Sequence, residues 1–368
     1  MDFLLTGIRD NAAGFFAPVI IYAGILALHL LLPARRVTGY VVNETNGKQF
    51  GYRINGFIVM LVTVMVWAAL GATDIVPFEW LYHQRWASFA GACTLGLIAS
   101  FAIVYKKPPV HKHFLADFFL GRLKNVQLFG GRADAKMVLY LLGATLLALN
   151  ILSAAAYHVH IFQPVHSPGI LVYTVLFFWF LFDYMTFEEV HLYTYDLFAE
   201  RVGFKLVWGC LTFYPFFYSI GILAVAHRPD PGITTPQLLV ACVVFFSGWI
   251  FARGANMQKF FFKTRPDQAF LGIWKPEVLS NGNSALLCNG FWGISRHVNY
   301  LGEVLMATGI TLALGYPEIV WAWLYPLYYV LLLSTRERDD DKRCKDKYGD
   351  LWDEYCERVP SRIIPRIY

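Results

Sequence analysis

Chemistry-bearing residues crowd into the last third of this chain. The stretch Asn289-Gly290-Phe291-Trp292-Gly293-Ile294-Ser295-Arg296-His297-Val298-Asn299-Tyr300-Leu301-Gly302-Glu303 is polar, aromatic and doubly basic, and it runs straight into an apolar segment over 304–315. Fixed charge is costly inside a bilayer, so Arg296 and His297 are expected at its mouth, within reach of water or an anionic ligand. A second polar block follows the next apolar run: Arg336-Glu337-Arg338-Asp339-Asp340-Asp341-Lys342-Arg343-Cys344-Lys345-Asp346-Lys347-Tyr348-Gly349. If the two apolar runs form a helical hairpin, both polar ends emerge on one face and make a pocket. Upstream, Lys259 and Lys263 stand four apart, on one helical face with aromatics between them. They read either as interfacial lysines snorkelling to headgroups or as two cations for a phosphate-bearing ligand. Together these residues suit an anionic, aromatic, sugar-bearing cofactor, beside a greasy interior that suits an apolar substrate.

Carboxylates form a second cluster. Asp183, Glu188 and Glu189 end an apolar run with Tyr184 and Tyr193 interleaved, and Asp196 and Glu200 follow. Tyr184 and Glu188 share one helical face. A carboxylate at bilayer depth is functional by default. The bland alternative puts Glu188 and Glu189 in the headgroup region, solvated. Asp117 and Arg122 either brace the floor of an active site or belong to a turn that carries topogenic charge. His158, His160 and His166 include an H-x-H, but no Cys, Asp or Glu lies in their loop, so interfacial histidines are the better reading and no metal is assigned. Tyr214-Pro215-Phe216-Phe217-Tyr218 should kink its helix and offers two phenol donors.

The elements that position these groups are set by composition. The 368 residues are 57% hydrophobic, 17% aromatic and only 15% charged, with a mean hydropathy of +0.46. Apolar runs near the roughly 20 residues needed to cross a bilayer fall at 14–32, 55–72, 86–105, 137–156, 168–187, 204–224, 236–252, 299–315 and 317–335. The segment between Arg253 and Asn299 leaves room for a tenth. The expected fold is all-α: a polytopic membrane bundle of nine or ten transmembrane helices with a cytosol-facing C-terminal cofactor pocket. With the N-terminus outside, 28 of the 31 Lys and Arg fall in inner loops, and only Arg9, Arg85 and Arg228 lie outside. That asymmetry is the positive-inside pattern. It also accounts for the basic residues without nucleic acid. The first run has no basic leader and no small-residue cleavage site, so it reads as a span rather than a removed signal. The loop after it carries a turn signal, Asn43-Glu44-Thr45-Asn46-Gly47-Lys48. The six cysteines are isolated, and a disulfide framework is not expected. No G-x-G-x-x-G, P-loop, H-E-x-x-H or G-x-S-x-G occurs, which excludes the soluble dinucleotide-binding fold. The tail, 352–368, reads as an ordered cap along the inner surface.

The segment Gly290-Phe291-Trp292-Gly293…Arg296-His297…Asn299-Tyr300-Leu301-Gly302, with Cys344-Lys345-Asp346-Lys347-Tyr348-Gly349-Asp350-Leu351-Trp352 and Val359-Pro360…Ile364-Pro365, closely resembles the sterol reductase family. That family comprises the sterol C14, C7 and C24 double-bond reductases and the reductase-like domain of the lamin B receptor. The likeness extends upstream through Gly254-Ala255-Asn256-Met257-Gln258-Lys259, Phe187-Glu188-Glu189 with Asp196, and Asp117-Phe118-Phe119-Leu120-Gly121-Arg122, over roughly 110–368. It implies a ten-span enzyme that reduces a sterol carbon–carbon double bond with NADPH. By position, the implied cofactor contacts are Lys259, Lys263, Leu287, Trp292, Asn299, Tyr300, Asp340, the run Cys344, Lys345, Asp346, Lys347 and Tyr348, and Tyr355. Arg296, His297 and Arg336 join them from the polar blocks themselves. Members usually carry Arg where Lys263 stands, and Asn-Pro-Arg where Asn125-Val126-Gln127 stands. The expected division is 1–105 for N-terminal membrane helices and 106–368 for the catalytic membrane domain, with its cofactor part at 253–368.

An isolated olefin accepts hydride only after a proton has made it a carbocation. A general acid in a dry pocket is therefore required, and a buried carboxyl can stay protonated near neutrality. Glu188, Asp183 and Tyr184 are the candidates for that proton path, with Tyr218 in reserve. The expected partners are a sterol or sterol-like lipid and the bilayer, in a bacterial inner membrane or the endoplasmic reticulum, with the site facing the cytoplasm. The C14 bond is favoured, with C7 or C24 open. The rival readings are an S-adenosylmethionine-dependent methyltransferase of the isoprenylcysteine type and a non-catalytic sterol-binding protein.

Overall fold

Each apolar run expected to span the bilayer is helical in the computed structural model, which describes residues 2–43, 47–282 and 284–368, with side chains from residue 11 onward. Among the described residues, six helices have the length and apolarity to cross a membrane: Asn11–Leu31, Arg85–Tyr105, Ala135–Phe162, Pro168–Thr186, Phe204–Val225 and Thr235–Thr264. Gly56–Ala72 is a shorter apolar helix. Val298–Leu312 and Val320–Tyr348 complete the set, the latter apolar only in its first half. The chain is an integral, multi-pass membrane protein. It divides into two units, Met1–Asp230 and Pro231–Tyr368.

In the first unit, helix Ala135–Phe162 is buried along most of its length. Asp134 caps its start, accepting from the backbone of Lys136 at 3.0 Å and Met137 at 3.2 Å. A helix so enclosed must satisfy its few polar side chains internally. Asn150 does so by donating to Pro215 O at 3.0 Å, and Ser153 by accepting from Tyr82 N at 3.0 Å. The expected kink at Pro215 takes the form of a π-turn, Gly209–Phe213, just before it. A proline cannot bond back to the carbonyl four residues earlier, here Leu211. That orphan is taken by Tyr22, whose phenol donates to Leu211 O at 2.6 Å.

The polar loop after the first helix is a β-hairpin, Arg35–Val42 against Gln49–Ile54, with Val37 opposite Tyr52 and Val42 opposite Gln49. Its β-branched and aromatic residues favour strands. Tyr52 packs with Met137, Leu192 and Leu197, which gives the hairpin a buried face. The turn signal at Glu44-Thr45-Asn46 lies outside the described residues.

The second unit rests on two helices in close contact. Thr235–Thr264 opens with a capping box between Thr234 and Gln237 and buries Ala241, Phe245, Gly248, Ala252, Ala255 and Gln258 along one stripe. Gly302 and Gly309 of Val298–Leu312 face that stripe: a Cβ on Gly302 would stand 2.6 Å from Gly248 O, and one on Gly309 2.6 Å from Phe245 N. Small residues let helices approach this closely in lipid. Between the two helices lie a short hairpin, Val278–Ser280 with Ala285–Leu287, and a helical turn, Gly290–Gly293. Among the described residues there is no tenth spanning helix in that interval.

Candidate active site

In the second unit the site begins at the loop 289–293. Gly290 has φ +61, and the Gln258 amide occupies the place its Cβ would take. Gln258 then accepts from Phe291 N at 2.9 Å and donates to Asn289 O at 3.2 Å. This fixes Trp292, whose indole donates to Ala255 O at 2.9 Å and whose own carbonyl accepts from the Tyr355 phenol at 3.0 Å. Lys259 Nζ stands 5.7 Å from the centre of the Trp292 ring, within cation–π range.

The hairpin of helices expected from the sequence is present and its two polar ends meet. Tyr300, in the first turn of Val298–Leu312, donates its phenol proton to Asp340 Oδ2 at 2.5 Å. Asp340 also pairs with Arg343. Asp340 and Cys344 lie within electrostatic reach of Lys259, as do the like charges Lys263 and Arg343, and Lys347 lies within reach of Lys263. Burial, then Asp340, pushes the Cys344 thiol up to about 11 despite Lys259, Arg343 and Lys347. Tyr348 packs with Cys344 and the buried Trp352 and Tyr355, and Lys347 Nζ lies 4.8 Å from the Tyr348 ring. Leu287 is buried at the end of its hairpin strand, and Arg336 is half-buried. The continuous run 344–348 does not act as one surface. Cys344 and Tyr348 share the inward face with Asp340, whereas Lys345 pairs with Asp353 and Asp346 is exposed.

Arg296 and His297 differ from the expectation of a wetted mouth. They are only 7% and 8% exposed. Arg296 Nη1 donates to Asp341 at 3.0 Å and Nη2 to Pro360 O at 3.3 Å, and its backbone N–H donates to Ser361 O at 2.9 Å. A buried guanidinium needs such partners, and the C-terminal tail supplies them. His297 stacks on Tyr300, ring centres 4.8 Å apart. Burial, then Arg296 and Lys259, pushes its imidazole down to about 3, so it is neutral. Asn299 donates to Asn256 at 3.4 Å. Among the described residues, Asn299 Oδ1 and Arg296 Nε are buried without a hydrogen-bond partner.

In the first unit, Glu188 is 4% exposed. Its carboxylate sits at the start of helix Gly56–Ala72, where Oε2 accepts from Gly56 N at 2.8 Å. Burial pushes it up to about 7, against hydrogen bonds from Gly56 and Asn55. Asp183 is half-buried, and the Tyr184 ring lies tilted against His191 with ring centres 3.9 Å apart. Glu189 points elsewhere, to Arg35 at 2.5 Å. Asp117 and Arg122 do pair, at 2.8 Å. Burial alone would raise Asp117, but bonds from His111, Arg122 and Val110 hold it well below the usual carboxylate range. Arg122 also donates to Val104 O at 3.1 Å and Lys107 O at 2.6 Å, closing the C-terminus of Arg85–Tyr105. The H-x-H histidines diverge: His158 bonds Ala226 O at 3.0 Å, and His160 meets Glu79, from another loop, at 3.3 Å.

Sequence reasoning missed Gln258, Asn256, Asp341, Glu337, Arg343 and Arg362 as site-building residues. Arg362 reaches Glu337 at 3.0 Å and Asp341 at 3.8 Å. A signal was available. Positions 337, 340, 341, 344 and 348 repeat every three or four residues, so they share one helix face.

Among characterised proteins, the chain is 32% identical to the Delta(14)-sterol reductase of Arabidopsis thaliana over 353 residues, covering 92% of this chain and 91% of that one. It is 31% identical to the Delta(14)-sterol reductase of Mus musculus over 366 residues, covering 95% and 84%. It is 29% identical to that of Methylotuvimicrobium alcaliphilum over 372 residues, covering 97% and 83%. The match to the family as a whole runs over residues 10–368, so it takes in the N-terminal helices as well as the motif-bearing part. Nearly the whole chain is therefore accounted for, and it belongs to the ergosterol biosynthesis ERG4/ERG24 family of sterol reductases.

Proposed function

We propose that this protein reduces a carbon–carbon double bond of a sterol or sterol-like lipid, the C14 bond first among candidates, using NADPH. The observation that carries the reading is the convergence of Lys259, Lys263, Arg343 and Lys347 on the Trp292, Tyr300 and Asp340 cluster, in a chain whose relatives are named Delta(14)-sterol reductases. Three lysines and an arginine suit phosphates, Trp292 and Tyr348 suit flat rings, and the unpaired Asn299 Oδ1 and Arg296 Nε suit a carboxamide or ribose. These residues therefore fit a nicotinamide dinucleotide. When bound, NADPH supplies a hydride. NADPH rather than NADH follows if one of the lysines meets the 2′-phosphate.

The chain's own contribution is to bind, to exclude water and to provide a proton. Glu188 stands nearest to the requirement for an acid still protonated near neutrality, with Asp183 and Tyr184 beside it in sequence. One proton and one hydride add two hydrogens across the olefin, and charge balances. A cytoplasm-facing site in a bacterial inner membrane or the endoplasmic reticulum is part of the same proposal. Nothing in the relatives' names favours methyl transfer. The test is purified protein with NADPH and a panel of C14, C7 and C24 unsaturated sterols, products read by mass spectrometry. One saturated product with matching NADPH loss is expected. Methylated product from S-adenosylmethionine, or sterol binding without NADPH loss, would sink the reading.

A further inference from the structure

The end of helix Arg85–Tyr105 and the segment that follows it carry an outward face that the reductase chemistry does not use. Phe101 and Tyr105 are exposed, their rings stacked 5.1 Å apart, and Phe101 also meets Phe114 at 6.5 Å. Phe114, Leu115, Phe119 and Leu120 of the short helix Phe114–Leu120 are exposed as well, Leu115 at 77%. The acid of that helix, Asp117, is turned inward, fully buried, neutralised by Arg122 and hydrogen-bonded to His111. No carboxylate of this helix therefore offsets the surface around it. Lys106, Lys107, Lys112 and Lys124 of the same segment are all exposed, and none forms an ion pair among the described residues. The apolar face continues that of a spanning helix, where Leu97 and Ile98 are also exposed. A surface both greasy and unopposed in positive charge matches the boundary between acyl chains and acidic headgroups.

We infer that residues 105–124 form an interfacial anchor that binds anionic phospholipid: Phe114, Leu115, Phe119 and Leu120 enter the acyl boundary while Lys106, Lys107, Lys112 and Lys124 hold phosphate headgroups. Such an anchor would serve the chain whatever reaction it catalyses. The Asp117–Arg122 pair is the internal brace that keeps this face turned outward.

The full chain, purified in a non-ionic detergent, is titrated with phosphatidylglycerol or phosphatidylcholine, and bound lipid is followed by native mass spectrometry. The wild type should prefer phosphatidylglycerol, each lysine contributing up to roughly fivefold in affinity. K106Q/K107Q/K112Q/K124Q should lose that preference and keep its weak phosphatidylcholine binding. The half-neutralised variants K106Q/K107Q and K112Q/K124Q, which disturb folding less, should each lose part of it. Inorganic phosphate at the same concentration should not displace the lipid. Equal binding of the two lipids by the wild type, an unchanged preference in both half-neutralised variants, or displacement by inorganic phosphate would each overturn the assignment.

Discussion

Glu188 Oε2 accepts the backbone N–H of Gly56 at 2.8 Å, and the Glu188 carboxyl group occupies the space a side chain on residue 56 would need. A negative group at a helix N-terminus is held by the unpaired N–H groups there. The buried acid and the second membrane helix are thus fitted to one another.

Gly56→Ala should therefore move the carboxylate or the helix. Overpacking of this kind costs about 1–3 kcal/mol, a loss readable as a lower midpoint of thermal unfolding in detergent. Glu188→Gly in the same background should recover part of the loss by vacating the space. Equal melting of wild type and Gly56→Ala would show that the contact is slack.

The same carboxyl predicts a pH dependence with a definite sign. Its folded value, about 7, lies above the ordinary 4.5 because burial disfavours the charged form. The folded state then holds the proton more tightly than the unfolded one, so stability is greatest below about 4.5 and falls as pH rises to about 7. The loss is on the order of 3 kcal/mol at most. Glu188→Gln should flatten that interval and, if Glu188 donates the catalytic proton, lower turnover with cofactor binding intact. Asp117, held low by His111 and Arg122, acts oppositely: its contribution vanishes as pH drops below the usual carboxylate value. Unfolding followed from pH 4 to pH 8 reads Glu188 alone, because the Asp117 contribution changes only below that interval.

Lys259→Ala should raise the Michaelis constant for NADPH by roughly 10- to 100-fold with a smaller change in turnover, the range expected for losing one charged hydrogen bond. Lys263→Arg should keep or improve affinity, since a planar fork grips a phosphate with two bonds where an ammonium offers a point charge. Fluorescence titration with NADPH measures both. Unchanged affinity in Lys259→Ala would remove it from the cofactor site.

Much of this was legible in the sequence because lipid imposes a strong pattern. Apolar length marked the helices, and the polar ends at 289–303 and 336–349 marked the cluster where Tyr300 meets Asp340. The β-hairpin at 35–54 was not legible: its charged and polar residues read as a loop, and what holds the strands is Tyr52 against Met137, Leu192 and Leu197, far away in sequence. Glu188 is legible as a costly carboxylate, but its partner is not, because a glycine N–H carries no sequence signal of its own. The burial of Arg296 is not legible either, because sequence does not show what covers a cation. The groups that bury it, Asp341 and the carbonyl of Pro360, come from 45 and 64 residues away.

Arg296 supplies the last prediction. Its guanidinium joins Asp341 to Pro360, and its backbone bonds Ser361, so it ties the C-terminal tail to the start of helix Val298–Leu312. Asp341 also takes the Trp352 indole at 3.2 Å. Arg296 is buried, whereas Asp341 is partly exposed and keeps Arg362 at 3.8 Å, so breaking the pair costs less than the about 3–5 kcal/mol of a fully buried one but releases the tail from its guanidinium. Arg296→Ala should therefore speed hydrogen exchange at residues 359–368, and Asp341→Asn should do the same more mildly. A purely cofactor-binding Arg296 would behave otherwise, with a raised Michaelis constant for NADPH and tail exchange as in the wild type. Exchange measured without NADPH distinguishes the two, because only the tie between Arg296 and the tail is then in play.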